Sequence, residues 1–337
     1  FVYRTAASLG LDGWVANVNG HVEGEVTGPP RAIHEFAVRL RADAPVLARV
    51  RQVRLTAVAG QPAYASGFHV RRSAPAAADR APREIPPDAA ICDACLRDLR
   101  DPRDRRHRYP FINCTDCGPR ATIIEDLPYD RVRTTMRHFP MCPACAAEYA
   151  DPADRRFHAE PIACPVCGPE AAWEGLRGEP AVRAAVETVA GGGIVAVKGL
   201  GGYQLVCDAG DPAAVAELRR RKHRPAKPFA VMVRDLGAAA RLARISATEH
   251  AALTSPERPV VLLARQRLRG APPLAGGVHP GLTRVGLFLP TTGLHHLLLD
   301  DLDRPLVVTR GHRSAEPIAT GVHDARPPLS SLAGGFH

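Results

Sequence analysis

CDACLRDLRDPRDRRHRYPFINCTDC at 92–117 is followed by CPACAAEYADPADRRFHAEPIACPVC at 142–167. A shift of 50 positions carries every cysteine of the first stretch onto a cysteine of the second. Within each copy, two C-x-x-C pairs stand eighteen residues apart, and twenty-four residues separate the copies. One such pair is weak evidence. Two four-cysteine units in register have the ligand number and spacing of structural zinc ribbons. Cys92, Cys95, Cys114 and Cys117 are therefore expected to hold one Zn2+, and Cys142, Cys145, Cys164 and Cys167 a second. The register extends beyond the ligands: Asp101-Pro102 matches Asp151-Pro152, Arg105-Arg106 matches Arg155-Arg156, and Gly118-Pro119 matches Gly168-Pro169. Spacing alone leaves open a crossed pairing of knuckles from the two copies, and dithiol redox chemistry is the lesser alternative. Four sulfurs leave no open coordination position, so the predicted role is structural. Metal binding worth roughly 10–16 kcal/mol per site would stand in for the core that a stretch rich in Arg, Asp and Pro does not build. The ninth cysteine, Cys207, reads as a small buried hydrophobe.

The 337 residues allow two or three domains, and 45% hydrophobic content allows real cores. Of 44 basic residues only Lys198, Lys222 and Lys227 are lysines, against a formal net charge of +9. Together with 32 Pro and 29 Gly, that bias suits GC-rich coding better than selection for arginine. The charge fits a solvated basic surface or a phosphate-bearing partner. No arginine-rich helix interleaved with aromatics appears, so nucleic acid is not an expected partner. No run of eighteen apolar residues exists, and FVYRTAASLG at the start lacks the apolar centre of a signal peptide. A cytoplasmic location is expected, where paired cysteines bind metal more often than they form disulfides. With Phe at position 1 rather than Met, the chain is expected to begin inside a longer protein.

The chain divides into regions. Residues 1–73 read as helix, strand, strand, helix, strand, strand: FVYRTAASL, DGWVANV, HVEGEVTG across an Asn19-Gly20 turn, PRAIHEFAVRLRA, VRQVRLTAV and GFHVRRS. This is a βαββαβ pattern without its first strand. Residues 74–90 read as a linker, 91–170 as the tandem ribbons, 178–322 as an α/β domain, and 323–337 as an irregular tail. In the α/β region GGIVAVKGL, PFAVMV, RPVVLL and RPLVVT read as buried strands, with AVRAAVETVAGG and DPAAVAELRRRK as helices between them. The expected fold class is a multidomain α+β chain.

Two cationic segments stand out in the α/β region. Lys198 precedes Gly199, Gly201 and Gly202, a loop in which backbone can approach a phosphate. Lys222, Arg224 and Lys227 cluster around Pro225 at the end of a predicted helix. Cations so crowded repel one another unless an anion relieves them. The competing explanation is a helix C-terminus that favours positive charge. Asn17, on a predicted strand beside Trp14, reads from spacing alone as an ordinary polar residue.

FINCTDCGPR (111–120) and FHAEPIACPVCGP (157–169) resemble the zinc-ribbon region of the HypF family, the carbamoyltransferases of [NiFe]-hydrogenase maturation. GWVAN (13–17) resembles the acylphosphatase motif of that family. KGLGGYQLVCDA (198–209), RRRKHRPAKPFAVMV (219–233), SPERPVVLL (255–263) and LHHLLL (294–299) resemble its YrdC-like domain. The resemblance implies a truncated ferredoxin-like acylphosphatase module, two C4 zinc ribbons and a YrdC-like α/β domain. It implies hydrolysis of carbamoyl phosphate to carbamate, adenylation of carbamate with ATP and Mg2+, and transfer of the carbamoyl group to the C-terminal Cys of the partner HypE. Asn17 then matches the residue that positions the attacking water. Lys222 and Arg224 match the pair that neutralises the triphosphate, and Lys198, Lys227, His295 and Ser314 fall in the nucleotide region. Three departures carry expectations. The family's G-F-R-P motif and first strand are not in this sequence, which predicts an inactive and poorly folded acylphosphatase unit. Arg310 and His312 stand where the family has Ser and Asn, which predicts a weakened or reshaped nucleotide site, although Ser314, Glu316 and Pro317 are retained. The large transfer domain is not in this sequence, so transfer to HypE is not expected from this polypeptide alone. A second reading, a threonylcarbamoyl-AMP synthase relative associated with RNA, shares the YrdC-like domain but not the acylphosphatase motif; a third is a catalytically impaired fragment of the HypF type that only binds its partner.

Overall fold

The structure, a computed structural model, describes residues 1–18, 21–45, 47–48, 50–59, 66–71, 85–266, 268, 270 and 273–312. The N-terminal module contains α1 (Val2–Ser8), β1 (Asp12–Val18), β2 (His21–Thr27), α2 (Pro30–Ala42) and β3 (Phe68–Val70). β1 is central. It pairs antiparallel with β2 from Asp12↔Thr27 to Val18↔His21 and parallel with β3 from Gly13↔Phe68. That register leaves two residues to join β1 and β2; Asn19 and Gly20 themselves lie outside the described residues. The expectation of a poorly folded module meets a small core: Ala6 and Phe36 from the helices pack with Val15 and Phe68 from the sheet. One expected strand is corrected. VRQVRLTAV forms no strand over 50–58, and Val50, Leu55 and Val58 are 42%, 52% and 73% exposed. A strand needs a neighbour for its ladder, and no described strand pairs with this segment.

Residues 85–90 are no free tether. Ala89 exchanges backbone hydrogen bonds with Gly118, Ala90 N donates to Pro256 O, and Ile91 N donates to Thr291 O. The Asp88 carboxylate also accepts from the backbone of Arg120 and Thr122. The ribbons follow, each with a short helix after its first cysteine: α3 (Asp93–Arg100) and α4 (Pro143–Ala150).

The remaining elements are the hairpin β4 (Ala172–Trp173) and β5 (Leu176–Arg177), then α5 (Glu179–Ala190), β6 (Val195–Gly199), β7 (Gly202–Asp208), α6 (Pro212–Lys222), β8 (Ala230–Met232), α7 (Leu236–Leu242), α8 (Ala247–Thr254), β9 (Val261–Ala264), β10 (Arg284–Phe288), α9 (Gly293–Leu302) and β11 (Leu306–Arg310). Six strands form one sheet in the order β6-β7-β11-β8-β10-β9. Only β8 and β10 pair parallel; the other neighbours are antiparallel. Side chains alternate between two buried faces. Leu205, Cys207 and Val307 join the layer that holds Val215 and Leu218 of α6. Val206, Leu306 and Val308 join the layer that holds Val182 of α5 and Leu298 of α9. Burial on both faces explains why these strands read as unbroken apolar runs.

Ribbon 1 is part of the second layer. Leu99, Ile112 and Cys114 belong to the same apolar cluster as α5 and α9, whereas ribbon 2 has a small cluster of its own around Cys145 and Ile162. The first ribbon thus shares its neighbour's core, a support that its own composition does not reveal. Ion pairs line the seam: Arg100 pairs with Asp300 at 2.6 Å, and Arg108 with Asp301 and Glu179 at 2.7 Å each. Gly293 opens α9 where a Cβ would stand 2.6 Å from the Pro110 carbonyl oxygen, so only glycine allows this approach.

Candidate functional site

The cysteine sulfurs gather as two sets of four, one within each copy, with all ligand atoms of a set within 4.8 Å of one another. This removes the crossed pairing. Cys92–Cys114 and Cys114–Cys117 sulfurs are 3.7 and 3.8 Å apart; Cys142–Cys164, Cys164–Cys167 and Cys145–Cys167 are 3.8, 3.7 and 3.6 Å apart. Sulfurs at about 2.3 Å from one tetrahedral centre lie about 3.8 Å apart. Disulfide sulfurs would lie at about 2.05 Å. Both sets fit zinc.

The repeated arginines cross between copies. Arg106 of ribbon 1, 1% exposed, donates to Glu148 at 2.6 Å, to Cys145 Sγ at 3.4 Å and to the Ala163 carbonyl at 2.8 Å. Its counterpart Arg156 donates to Asp98 at 2.7 Å and to the Asn113 carbonyl at 3.2 Å. Arg105 reaches Cys145 Sγ at 3.2 Å, and Arg155 reaches Cys95 Sγ at 2.9 Å. Asp98 and Glu148, Cys95 and Cys145, Asn113 and Ala163 are each 50 apart, so the exchange is reciprocal. A zinc with four thiolates carries net negative charge, and guanidinium donors from the opposite copy offset it. Arg106→Ala removes the buried partner of Glu148 but leaves it paired with the partly exposed Arg105 at 2.9 Å, so the expected loss is about 1–3 kcal/mol. The metal it disturbs should be the one held by Cys142–Cys167, while Arg156→Ala should disturb the other. Cadmium NMR of the substituted protein reads this directly: each variant should shift mainly the resonance of the opposite ribbon.

The second feature is a cleft of about 1010 Å3 on the α/β domain. Lys222, the last residue of α6, is 2% exposed and lines the cleft. Its Nζ donates to the carbonyls of Arg310 at 2.6 Å and His312 at 2.5 Å. Burial, with the Arg224 charge adding to it, pulls the Lys222 amine down to about 8. Arg224 follows a left-handed turn at His223 (φ 51°) and lies over the Phe229 ring. Arg219 stitches this turn: its guanidinium donates to the carbonyls of Gly277 and Arg224 at 2.7 Å and of Pro225 and Lys227 at 3.1 Å. Arg258, Arg284 and Arg310 also line the cleft, so five cations face two carboxylates, Asp88 and Glu257. The Arg258 Nε is buried with no partner among the described residues. A pocket with this excess of positive charge suits a polyanion.

Three family models match the chain: Acylphosphatase over residues 1–70, HypF finger over 91–124 and 141–174, and the Sua5/YciO/YrdC model described as Telomere recombination over 187–335. Carbamoyltransferase HypF2 of Cupriavidus necator is 47% identical over an alignment covering 100% of this chain and 44% of that protein. The chain belongs to the HypF family. Carbamoyltransferase HypF of Synechocystis is 46% identical, again over 100% of this chain and 44% of the relative. A crystal structure of full-length HypF in the phosphate- and nucleotide-bound form superposes with a TM-score of 0.86 at 40% identity, covering 100% of this chain and 44% of that one. HypF of T. kodakarensis superposes with a TM-score of 0.87 at 40% identity, covering 100% and 43%. The chain therefore spans less than half the length of the HypF relatives it matches.

Against that family, the candidate residues divide by where the fold places them. Lys222 and Arg224 line the cleft together. Lys198 and Lys227 are exposed and are not among its lining residues. Gly199–Gly202, read as a phosphate loop, closes the hairpin between β6 and β7. His295 is wholly buried behind the cleft wall, and Asn17 is exposed near the end of β1. Ser314, Glu316 and Pro317 lie outside the described residues. Arg310 and His312 hold Lys222 through backbone carbonyls, which every residue type supplies. Sequence reasoning passed over Arg219, Arg258 and Arg284. Arg258 was visible in SPERPVVLL, but nothing in the order of residues shows that it turns into the cleft. No described helix is long and apolar enough to cross a membrane.

Proposed function

We propose that this chain carries the activating part of a HypF carbamoyltransferase in the cytoplasm. Carbamate is joined to ATP in the α/β cleft, and its hydrolytic formation from carbamoyl phosphate at the acylphosphatase module requires the G-F-R-P arginine that is not in this sequence. A carbamate oxygen attacks the α-phosphorus, the bond to the bridging oxygen breaks, and pyrophosphate leaves with Mg2+. The observation that carries this reading is the buried Lys222 beside Arg224 in a cleft of five cations and two carboxylates. Charge accumulates on the phosphates during the displacement, and fixed cations in a confined site stabilise it. The phosphate- and nucleotide-bound state of the HypF relative supports a nucleotide here. Asn17 orients the water that attacks carbamoyl phosphate, and Ser314 contributes to the nucleotide site with Lys198 and Lys227 at its margin. Carbamate is short-lived in water, so forming it on the polypeptide that consumes it limits its loss. The carbamoyl adenylate then serves transfer to HypE.

Exchange of labelled pyrophosphate into ATP tests the reading. The chain should catalyse exchange with freshly dissolved ammonium carbamate. Exchange with carbamoyl phosphate as well would show that the N-terminal module acts; carbamate alone would confine the activity to the cleft. Exchange that needs threonine and bicarbonate instead would favour the threonylcarbamoyl-AMP reading.

A further inference from the structure

The cleft wall contains a chain of hydrogen bonds that the phosphate-binding cations do not explain. Thr291 Oγ1 lies 3.1 Å from His295 Nδ1, and His295 Nε2 lies 2.9 Å from Gln204 Oε1. His295 is 0% exposed, and burial lowers its imidazole to about 4, so the ring is neutral at working pH. A neutral imidazole has one donor and one acceptor nitrogen. The Gln204 oxygen only accepts, so Nε2 carries the hydrogen and Nδ1 accepts from the Thr291 hydroxyl. The direction of the chain is thereby set.

Gln204 is held on a second side. A Cβ built on Gly199 would stand 3.0 Å from each of the Gln204 Cδ, Oε1 and Nε2 atoms. Three equal distances place that position over the face of the amide. Gly199 thus covers the face, and His295 holds the oxygen edge. The Nε2 edge has no partner among the described residues and is not a buried orphan, while Gln204 lines the cleft. In the sheet Gln204 pairs with Arg310, whose carbonyl receives the Lys222 ammonium. One strand spacing therefore separates the amide from the anchor of the buried cation.

We propose that the Gln204 side-chain amide, oriented by His295, is the recognition group for the small planar carbon acid that the cleft activates. This rests on the functional reading above. One N–H of Nε2 donates to an oxygen of the acid, the Lys222 ammonium balances its charge, and the other oxygen is left for attack on the α-phosphorus. Gln204 touches substrate; His295 is a positioning residue that acts through it.

The test varies ammonium carbamate and ATP separately in pyrophosphate exchange with Gln204→Leu, Gln204→Glu and His295→Phe, with calorimetric ATP affinity as the control for folding. Gln204→Leu should raise the half-saturating carbamate concentration about tenfold or more, the loss of a charged-acceptor hydrogen bond. Half-saturation by ATP should stay within about twofold. Gln204→Glu should do worse than Leu, because a carboxylate repels the acid. His295→Phe should give a smaller rise in the same parameter, again with ATP unaffected. Unchanged carbamate half-saturation in Gln204→Leu would overturn the proposal alone, as would equal losses for carbamate and ATP, which mark a structural residue. Absence of exchange by the unaltered chain would overturn the functional reading and this proposal together.

Discussion

Cys114→Ser is expected to remove one of two zinc ions and to abolish ATP binding, whereas Cys164→Ser is expected to remove one zinc and leave much of the ATP affinity. The two cysteines hold the same place in the repeat, 1% and 2% exposed respectively. Their surroundings differ. Cys114 belongs to the apolar layer that includes α5, α9 and the sheet, while Cys164 belongs to the small cluster of ribbon 2. A structural zinc contributes roughly 10–16 kcal/mol of binding free energy, and losing it unfolds what it closes. If ribbon 1 opens, Ala90 and Ile91 lose the order that ties them to Pro256 and Thr291 at the cleft. The arginine exchange between ribbons passes some of the damage across in either variant. Zinc content by elemental analysis and ATP affinity by calorimetry check both. Equal ATP affinity in the two variants would contradict the shared core.

Lys222→Met should lower ATP affinity by about a hundredfold or more. Hydrogen bonds to charged groups contribute about 1.5–3 kcal/mol each, and the substitution also leaves the Arg310 and His312 carbonyls without their donor. The same lysine gives the affinity a pH dependence of defined sign. In the free cleft its amine lies at about 8, lowered first by burial and then by Arg224. A bound polyanion favours the ammonium and raises that value. Below about pH 8 the lysine is already charged, so affinity is flat from this source. Above it, binding must take up a proton, and affinity falls by up to about tenfold per pH unit until the bound value is reached. Lys222→Met should remove that proton uptake, seen calorimetrically as a heat that no longer depends on the buffer. Uptake that persists in Lys222→Met would assign the effect to another group.

The parts of this protein that were legible were those whose chemistry repeats or whose periodicity is local. The 50-residue register of the cysteines names the eight metal ligands, because C-x-x-C pairs at fixed spacing have few other uses, while the division into two sets of four comes from the fold. α6 and the run of cations at its end could be read from Asp211 to Lys222, with Asp211 capping the helix through its side chain. Long-range pairing was not legible. β10 went unread because RVGLF is short and interrupted by Gly286, where a Cβ would stand 3.0 Å from Val260 Cγ1. β7 is hidden behind the glycines at its start, because glycines that close a hairpin look the same as glycines that cradle an anion. Arg105 and Arg155 were noted as repeats, yet only the fold shows that each serves the other copy's thiolate. The 50–58 segment carried the alternation of a strand, but a strand is a property of two segments and no described strand pairs with this one.

A crystal structure of this chain with bound ATP and Mg2+ tests the central claim most directly. The account predicts phosphate oxygens within hydrogen-bonding distance of Lys222 Nζ and the Arg224 guanidinium, with the α-phosphorus facing the open edge of the Gln204 amide. A nucleotide seated elsewhere, or phosphates that leave Lys222 bound only to the Arg310 and His312 carbonyls, would contradict it.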